Sequence, residues 1–378
     1  VNKPRIAFVY GPWASGSKTF DFTDLLASSQ GLTGSEVGCF YIAREMAKRG
    51  WHTTLYVPVR NTPDTHIWDG VQIRPLTSFQ SESSQHEVLY SWNDPDVFRG
   101  ISNEGTLRLE NHQIADFRFC QPGWENLVDI FTSPSDSHMK WMAPQTSCPE
   151  KWRMVPNGWD PDMFPQTKKV PGRVIYASSP DRGLHWLLQQ WSKIRKKVPH
   201  ATLRIFYNFD SWAENIGAVR YANPGVPDFK ELHFRALYIK EAVRKLANHG
   251  VEHYKAVSRI RMAQEFGEAE CLGYPCDPVR YTETFCVTAL EGCATGAIPV
   301  LTNADALGDI FGGHAPVVKA PVFEHINEFT DMIVRALSDK PFQTEWREKG
   351  AAFAKVMTWA NSAACLESVI QEGLEKKT

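Results

Sequence analysis

Tyr281-Thr-Glu283-Thr-Phe-Cys-Val-Thr-Ala-Leu-Glu291-Gly, followed by Gly296-Ala-Ile-Pro-Val-Leu-Thr302, is the stretch on which the fold turns. Two carboxylates are separated by seven residues. Glu283 stands beside a loop. Glu291 falls inside an apolar run, Phe285 to Ala297, that reads as a buried helix. The run 296–302 is of the kind that forms a central parallel strand. A helix N-terminus offers free N–H groups and a partial positive charge to a diphosphate. A carboxylate on either side of it can accept hydrogen bonds from sugar hydroxyls. The segment is therefore expected to form one face of a nucleotide-sugar pocket.

Working outward, strand and helix patterns alternate. Residues 6–10 read as a buried strand, followed by a long polar loop with Gly11, Gly16, Gly31 and Gly34. A helix is expected over 35–49, stopped by Gly50, and then a strand over 52–57. This βαβ unit implies a parallel sheet. Further strands are expected at 71–74, 87–92, 106–109 and 127–132, and a helix near 134–143. Residues 166–172 are polar, contain Pro171 and read as a linker. The pattern restarts with a strand at 173–177, a helix at 183–197 and a strand at 201–207. Helices are expected at 324–338, 341–357 and 360–374. The expected class is α/β, with two Rossmann-like, doubly wound domains facing a central cleft. The domains span 1–165 and 172–357, and a C-terminal helix over 358–378 joins the first. Ligands in such sheets bind beyond the C-terminal strand ends.

Bulk properties narrow the classes. The 378 residues are 43% hydrophobic and 22% charged, with a net charge of −2. That leaves no electrostatic case for a nucleic-acid partner. No apolar run approaches the ~20 residues needed to span a bilayer, and no signal peptide is visible. Peripheral contact with a membrane stays compatible with a lipid acceptor, although no strongly basic amphipathic helix argues for it. The eight cysteines form no C-x-x-C pair, which speaks against a zinc site and suits a reduced, cytoplasmic setting.

Several residues could carry chemistry. Gly31-Leu-Thr-Gly34-Ser35-Glu36 lets backbone approach a ligand, or is a glycine turn with Ser35 as N-cap. Ser178-Ser-Pro-Asp-Arg182-Gly-Leu184 takes the matching place in the second half. Its guanidinium suits bidentate contact with phosphate, or simply pairs with Asp181. His112 follows a strand of the first half and could meet a sugar hydroxyl or the acceptor. It could equally be a satisfied core histidine. Asp94-Pro-Asp96 and Asp160-Pro-Asp162 could hold a metal-bound diphosphate, but Asp-Pro is also a common helix start, and capping is the better reading. Most of the thirteen Trp are read as packing residues.

Taken in order, Gly31–Glu36, 155–158, 179–184, Glu283 to Glu291 and 296–300 resemble the retaining glycosyltransferases of the GT-B fold, family four. The resemblance implies a nucleotide-sugar donor (a UDP- or GDP-sugar) on the second domain and a glycan, lipid or small-molecule acceptor on the first. It implies transfer with retention, and neither a metal nor another cofactor. Glu291 would bind the ribose, Glu283 the donor sugar, and Thr284, Phe285, Cys286 and Val287 would lie along sugar and phosphate. Gly34 and Ser35 would complete the donor site, and His112 loosely matches the family's first-domain histidine. Arg182 stands where the family usually has a phosphate-binding Lys. A further Arg five residues earlier is Ala177 here, and Lys255, Arg259 or Arg261 would have to compensate. Two competing readings are a metal-dependent transferase using Asp94 and Asp96, and a binding protein that has lost turnover.

Overall fold

The computed structural model describes residues 3–11, 18–101, 105–165, 167–223 and 225–377; Gly16 and Gln166 lie outside them. The chain divides into two compact units. Unit 1 comprises Val1–Ser28, Leu32–Asp160 and Met357–Thr378, and unit 2 comprises Ser29–Gly31 and Pro161–Val356.

Unit 1 is built on an eight-stranded sheet in the order β3-β4-β2-β1-β5-β6-β7-β8. Its strands are β1 (Arg5–Val9), β2 (His52–Val57), β3 (Ile67–Trp68), β4 (Val71–Pro75), β5 (Val88–Trp92), β6 (Leu107–Asn111), β7 (Ile130–Ser133) and β8 (Trp152–Met154). All neighbours pair in parallel except β3 with β4. That hairpin turns on Asp69 and Gly70, both at positive φ (47° and 85°), the geometry a two-residue type I′ turn demands. Ile6 to Val9 are completely buried, as a central strand covered on both faces must be. The helix Gly34–Lys48 starts one residue earlier than the pattern suggested. Its N-cap is Thr33 rather than Ser35, because Thr33 and Glu36 close a reciprocal capping box. The last helix, Trp359–Lys377, belongs to this unit. Its Glu367 accepts from Lys3, Arg49 and, at 2.9 Å, Trp51 Nε1.

Unit 2 carries a six-stranded parallel sheet in the order β11-β10-β9-β12-β13-β14. The strands are β9 (Arg173–Tyr176), β10 (Thr202–Phe206), β11 (Val251–Tyr254), β12 (Cys271–Tyr274), β13 (Ile298–Thr302) and β14 (Val317–Val318). The chain runs from β9 outward to β11, then returns to the other side of β9 at β12. The topological switch point therefore lies between β9 and β12, where open α/β sheets leave a crevice for ligands. Residues 208–250, which matched no motif, form the helices Phe209–Ala222 and Pro227–Leu246 before β11. The helix expected over 285–297 is shorter, Val287–Thr295, because Cys286 takes a left-handed conformation and Gly296 ends it in another. No helix among the described residues is long and apolar enough to cross a membrane.

Candidate functional site

The switch point of unit 2 gathers two loops. After β9, residues 177–183 lead into the helix Leu184–Lys197. Gly183 is obligatory there: its φ is 98°, and a Cβ would sit 1.8 Å from the carbonyl oxygen of Pro275, in the loop that follows β12. The two loops are thus pressed together on either side of the crevice. Arg235, from the helix Pro227–Leu246, fastens the outside by donating to the carbonyl oxygen of Asp277 at 2.5 Å and to that of Asp181 at 3.5 Å. The later part of the loop after β12, residues 281–286, carries Glu283 to the N-terminus of the helix Val287–Thr295.

Arg182 and Glu283 meet in this crevice. Arg182 Nη1 donates to Glu283 Oε2 at 3.2 Å, and its Nε lies 3.4 Å from Asp181 Oδ2. Tyr274, the last residue of β12, donates its phenol to the same Oε2 at 2.5 Å. Burial disfavours the charge on Arg182, yet Glu283, Tyr274 and Asp181 together outweigh it and hold the guanidinium ionised. Burial raises the Glu283 carboxyl above its ordinary value, opposed by Arg182 and by the Tyr274 hydrogen bond. Thr284, Phe285, Cys286 and Val287 are all buried around the helix start, which has no side-chain cap. Its first N–H groups have no partner within the helix. At the vacant position 177, the backbone carbonyl of Ala177 accepts from Thr288 Oγ1 at 3.1 Å, so the first turn of this helix is tied to the end of β9.

Glu291 lies deeper, 2% exposed, and is held by a different cation. Both its oxygens accept from Arg259, the first residue of the helix Arg259–Glu268, whose guanidinium also lies over the Phe164 ring at 5.3 Å. Of the three candidates to replace the arginine expected at 177, Arg259 is committed to Glu291 and Arg261 to Glu265. Sequence reasoning missed Tyr274, Arg235 and Asp305. Their only signal was position: each polar side chain ends or follows a strand, or sits on a helix that had no motif.

The remaining candidates belong to unit 1. Gly34 opens the helix Gly34–Lys48, and the Ser35 hydroxyl accepts from Trp92 Nε1 at 2.9 Å and Asn93 Nδ2 at 3.5 Å. His112 is completely enclosed. Its Nδ1 is 3.1 Å from Glu110 Oε1, its ring lies 4.3 Å from that of Phe117, and Nε2 has no hydrogen-bond partner among the described residues. In this arrangement it is a core histidine rather than a group presented to a sugar. Asp94 stands at the N-cap position of the short turn Pro95–Phe98, and burial beside Asp96 and Glu110 pushes its carboxyl up to about 6. Asp96 spends one oxygen on Arg99 at 2.7 Å and the other on the Gln121 amide at 2.8 Å. Asp160 is paired with Arg44 at 2.9 Å. Both Asp-Pro-Asp strings are thus used within the fold.

This fold is GT-B, the glycosyltransferase architecture of two Rossmann-like units. Sucrose-phosphate synthase from Thermosynechococcus elongatus superposes with a TM-score of 0.69 over 98% of this chain and 100% of its own, at 12% identity. AviGT4, a glycosyltransferase involved in avilamycin A biosynthesis, gives 0.68 over 99% and 98%, at 15% identity. Anabaena HepE, solved in complex with UDP and glucose, gives 0.65 over 98% and 100%, at 12% identity. No family model and no curated protein matches the sequence.

Proposed function

We propose that the protein is a glycosyltransferase that moves a sugar from a nucleotide-sugar donor, a UDP-sugar in the first instance, to an acceptor hydroxyl. Transfer proceeds with retention and without a metal. The observation that carries this reading is the meeting of Arg182, Glu283 and the start of the helix Val287–Thr295 at the switch point of the unit 2 sheet. Negative charge grows on the leaving diphosphate as the glycosidic bond breaks. A guanidinium and the N–H groups of a helix start are preorganised donors for that charge. A diphosphate that takes over the 3.4 Å contact of Arg182 with Asp181 leaves the Glu283 contact standing. Glu283 then orients the sugar, and Glu291, held by Arg259, binds the ribose. The acceptor hydroxyl attacks on the face from which the phosphate leaves, and the phosphate takes its proton. The choice of UDP draws on the HepE complex, whose fold this chain shares.

A thermal-shift series with UDP, GDP and ADP, each with and without EDTA, tests the donor. UDP is expected to raise the melting temperature in both buffers, with about 2.7 kcal/mol of stabilisation at a hundred times its Kd. A UDP-sugar of α configuration is then expected to yield an α-linked product, read by NMR. An inverted product, or dependence on a divalent ion, overturns the mechanism. Failure of every nucleoside diphosphate to stabilise the protein overturns the donor site itself. Nucleotide binding with no transfer across a donor and acceptor panel favours the binding-protein reading.

A further inference from the structure

Glu283 is gripped on one oxygen only. Tyr274 and Arg182 both donate to Oε2, at 2.5 Å and 3.2 Å. Oε1 has no hydrogen-bond partner among the described residues, and the side chain keeps 11% exposure. The backbone beneath is held separately. Asp305 Oδ2 accepts from the amides of Thr282 at 2.9 Å and Glu283 at 2.8 Å, and the Glu283 carbonyl accepts from the Ala306 amide at 3.2 Å. Asp305 reaches this position from the end of β13 with a left-handed φ of 52°, a conformation Asp tolerates better than most residues. Tyr274 is itself oriented. Ser178 Oγ donates to its phenol at 3.2 Å, and its ring packs against Tyr176 at 5.8 Å.

A buried carboxylate needs donors to stay charged, and an oxygen that takes none of them keeps its full acceptor capacity for a ligand. Placing one neutral and one cationic donor on Oε2 meets the first need and spares Oε1. We infer that Tyr274 and Asp305 are positioning residues of the donor site, dedicating Oε2 to the protein and leaving Oε1 to accept a hydrogen bond from a hydroxyl of the transferred sugar. This rests on the proposed transferase reading and assigns the working atom within it. The phenol is one of two groups that oppose the effect of burial on the Glu283 carboxyl; without it Arg182 acts alone.

Tyr274→Phe removes the phenol donor and leaves the ring. UDP affinity, measured by calorimetry, is expected to stay within about twofold, since UDP lacks the transferred sugar that Glu283 would hold. Turnover of UDP-glucose is expected to fall roughly 10- to 100-fold in kcat, the weight of one hydrogen bond to a charged group. The Glu283 carboxyl, followed by 13C NMR and assigned with Glu283→Gln, is expected to titrate at higher pH in the variant. Asp305→Asn, which keeps an acceptor oxygen, is expected to retain activity that Asp305→Ala loses. An unmoved Glu283 titration in Tyr274→Phe overturns the inference. If the wild-type protein turns over no UDP-sugar, the transferase reading fails, and the titration alone still decides whether Tyr274 governs this carboxylate.

Discussion

At Cys286 the backbone takes φ 76° and ψ 76°, left-handed space that a side chain enters at a cost of about 1 kcal/mol. The strain has a visible cause. The loop before it is pinned by Asp305, and its own carbonyl must already accept from the Ala289 and Leu290 amides to start the helix. Glycine would relieve the strain but forfeit the buried thiol, worth about 1 kcal/mol by area. Cys286→Gly is therefore expected to melt within a few degrees of wild type. Cys293→Gly, at a buried site inside the same helix, loses both side-chain burial and helix propensity, about 2 kcal/mol or more in sum. Thermal denaturation of the two variants compares them, and equal losses would remove the strain argument. At this scale the Glu283–Glu291 spacing was legible in the sequence. The partners were not, because Tyr274 and Arg259 carry no local signature.

Elements were read well wherever a short-range signal marked them. The run Ile6–Val9, the stop at Gly50 and the turn of Gly296 all lie where apolar pattern and glycine place them. The helices 209–222 and 227–246 show that a helix can fold outside any recognised motif. The last helix, Trp359–Lys377, shows what docking adds. Glu367 accepts from Lys3, Arg49 and Trp51, and although its partial burial raises the carboxyl, these bonds bring it down to about 2 from the ordinary 4.5. A depressed carboxylate stabilises the fold above its unfolded value and loses that contribution as pH falls through the folded one. Glu367→Gln is accordingly expected to lower stability by about 1–2 kcal/mol near pH 7, allowing for screening of its exposed partners. The gap to wild type should close between pH 4.5 and about 2. Parallel melting curves that keep a constant gap over that range would show that the helix is not held through this charge.

For the molecule as a whole, pH stability carries a second, opposite term. Burial in unit 2, with Arg347 nearby, brings the Lys169 ammonium down to about 7 from 10.5, only partly offset by Glu270. Between those values the unfolded chain binds a proton that the folded one does not, so stability rises with pH across the window. Lys169→Met is expected to be more stable than wild type at pH 6.5, with the advantage fading toward pH 10. A pH series of melting temperatures checks it, and an advantage independent of pH would exclude the half-buried ammonium as its source. By itself the sequence determined the α/β class, two consecutive βα arrays and the carboxylates at 283 and 291. Those rest on apolar period, glycine stops and spacing, which act over a few residues. Only the tertiary structure decided that Arg182 reaches Glu283 across 101 positions, that Arg259 takes Glu291, that His112 is enclosed, and that Glu283 Oε1 has no hydrogen-bond partner among the described residues. The Glu283 contacts depend on which strands flank the unit 2 switch point and which loops their crossovers press together, and all of these are settled by the packing of residues far apart in the chain.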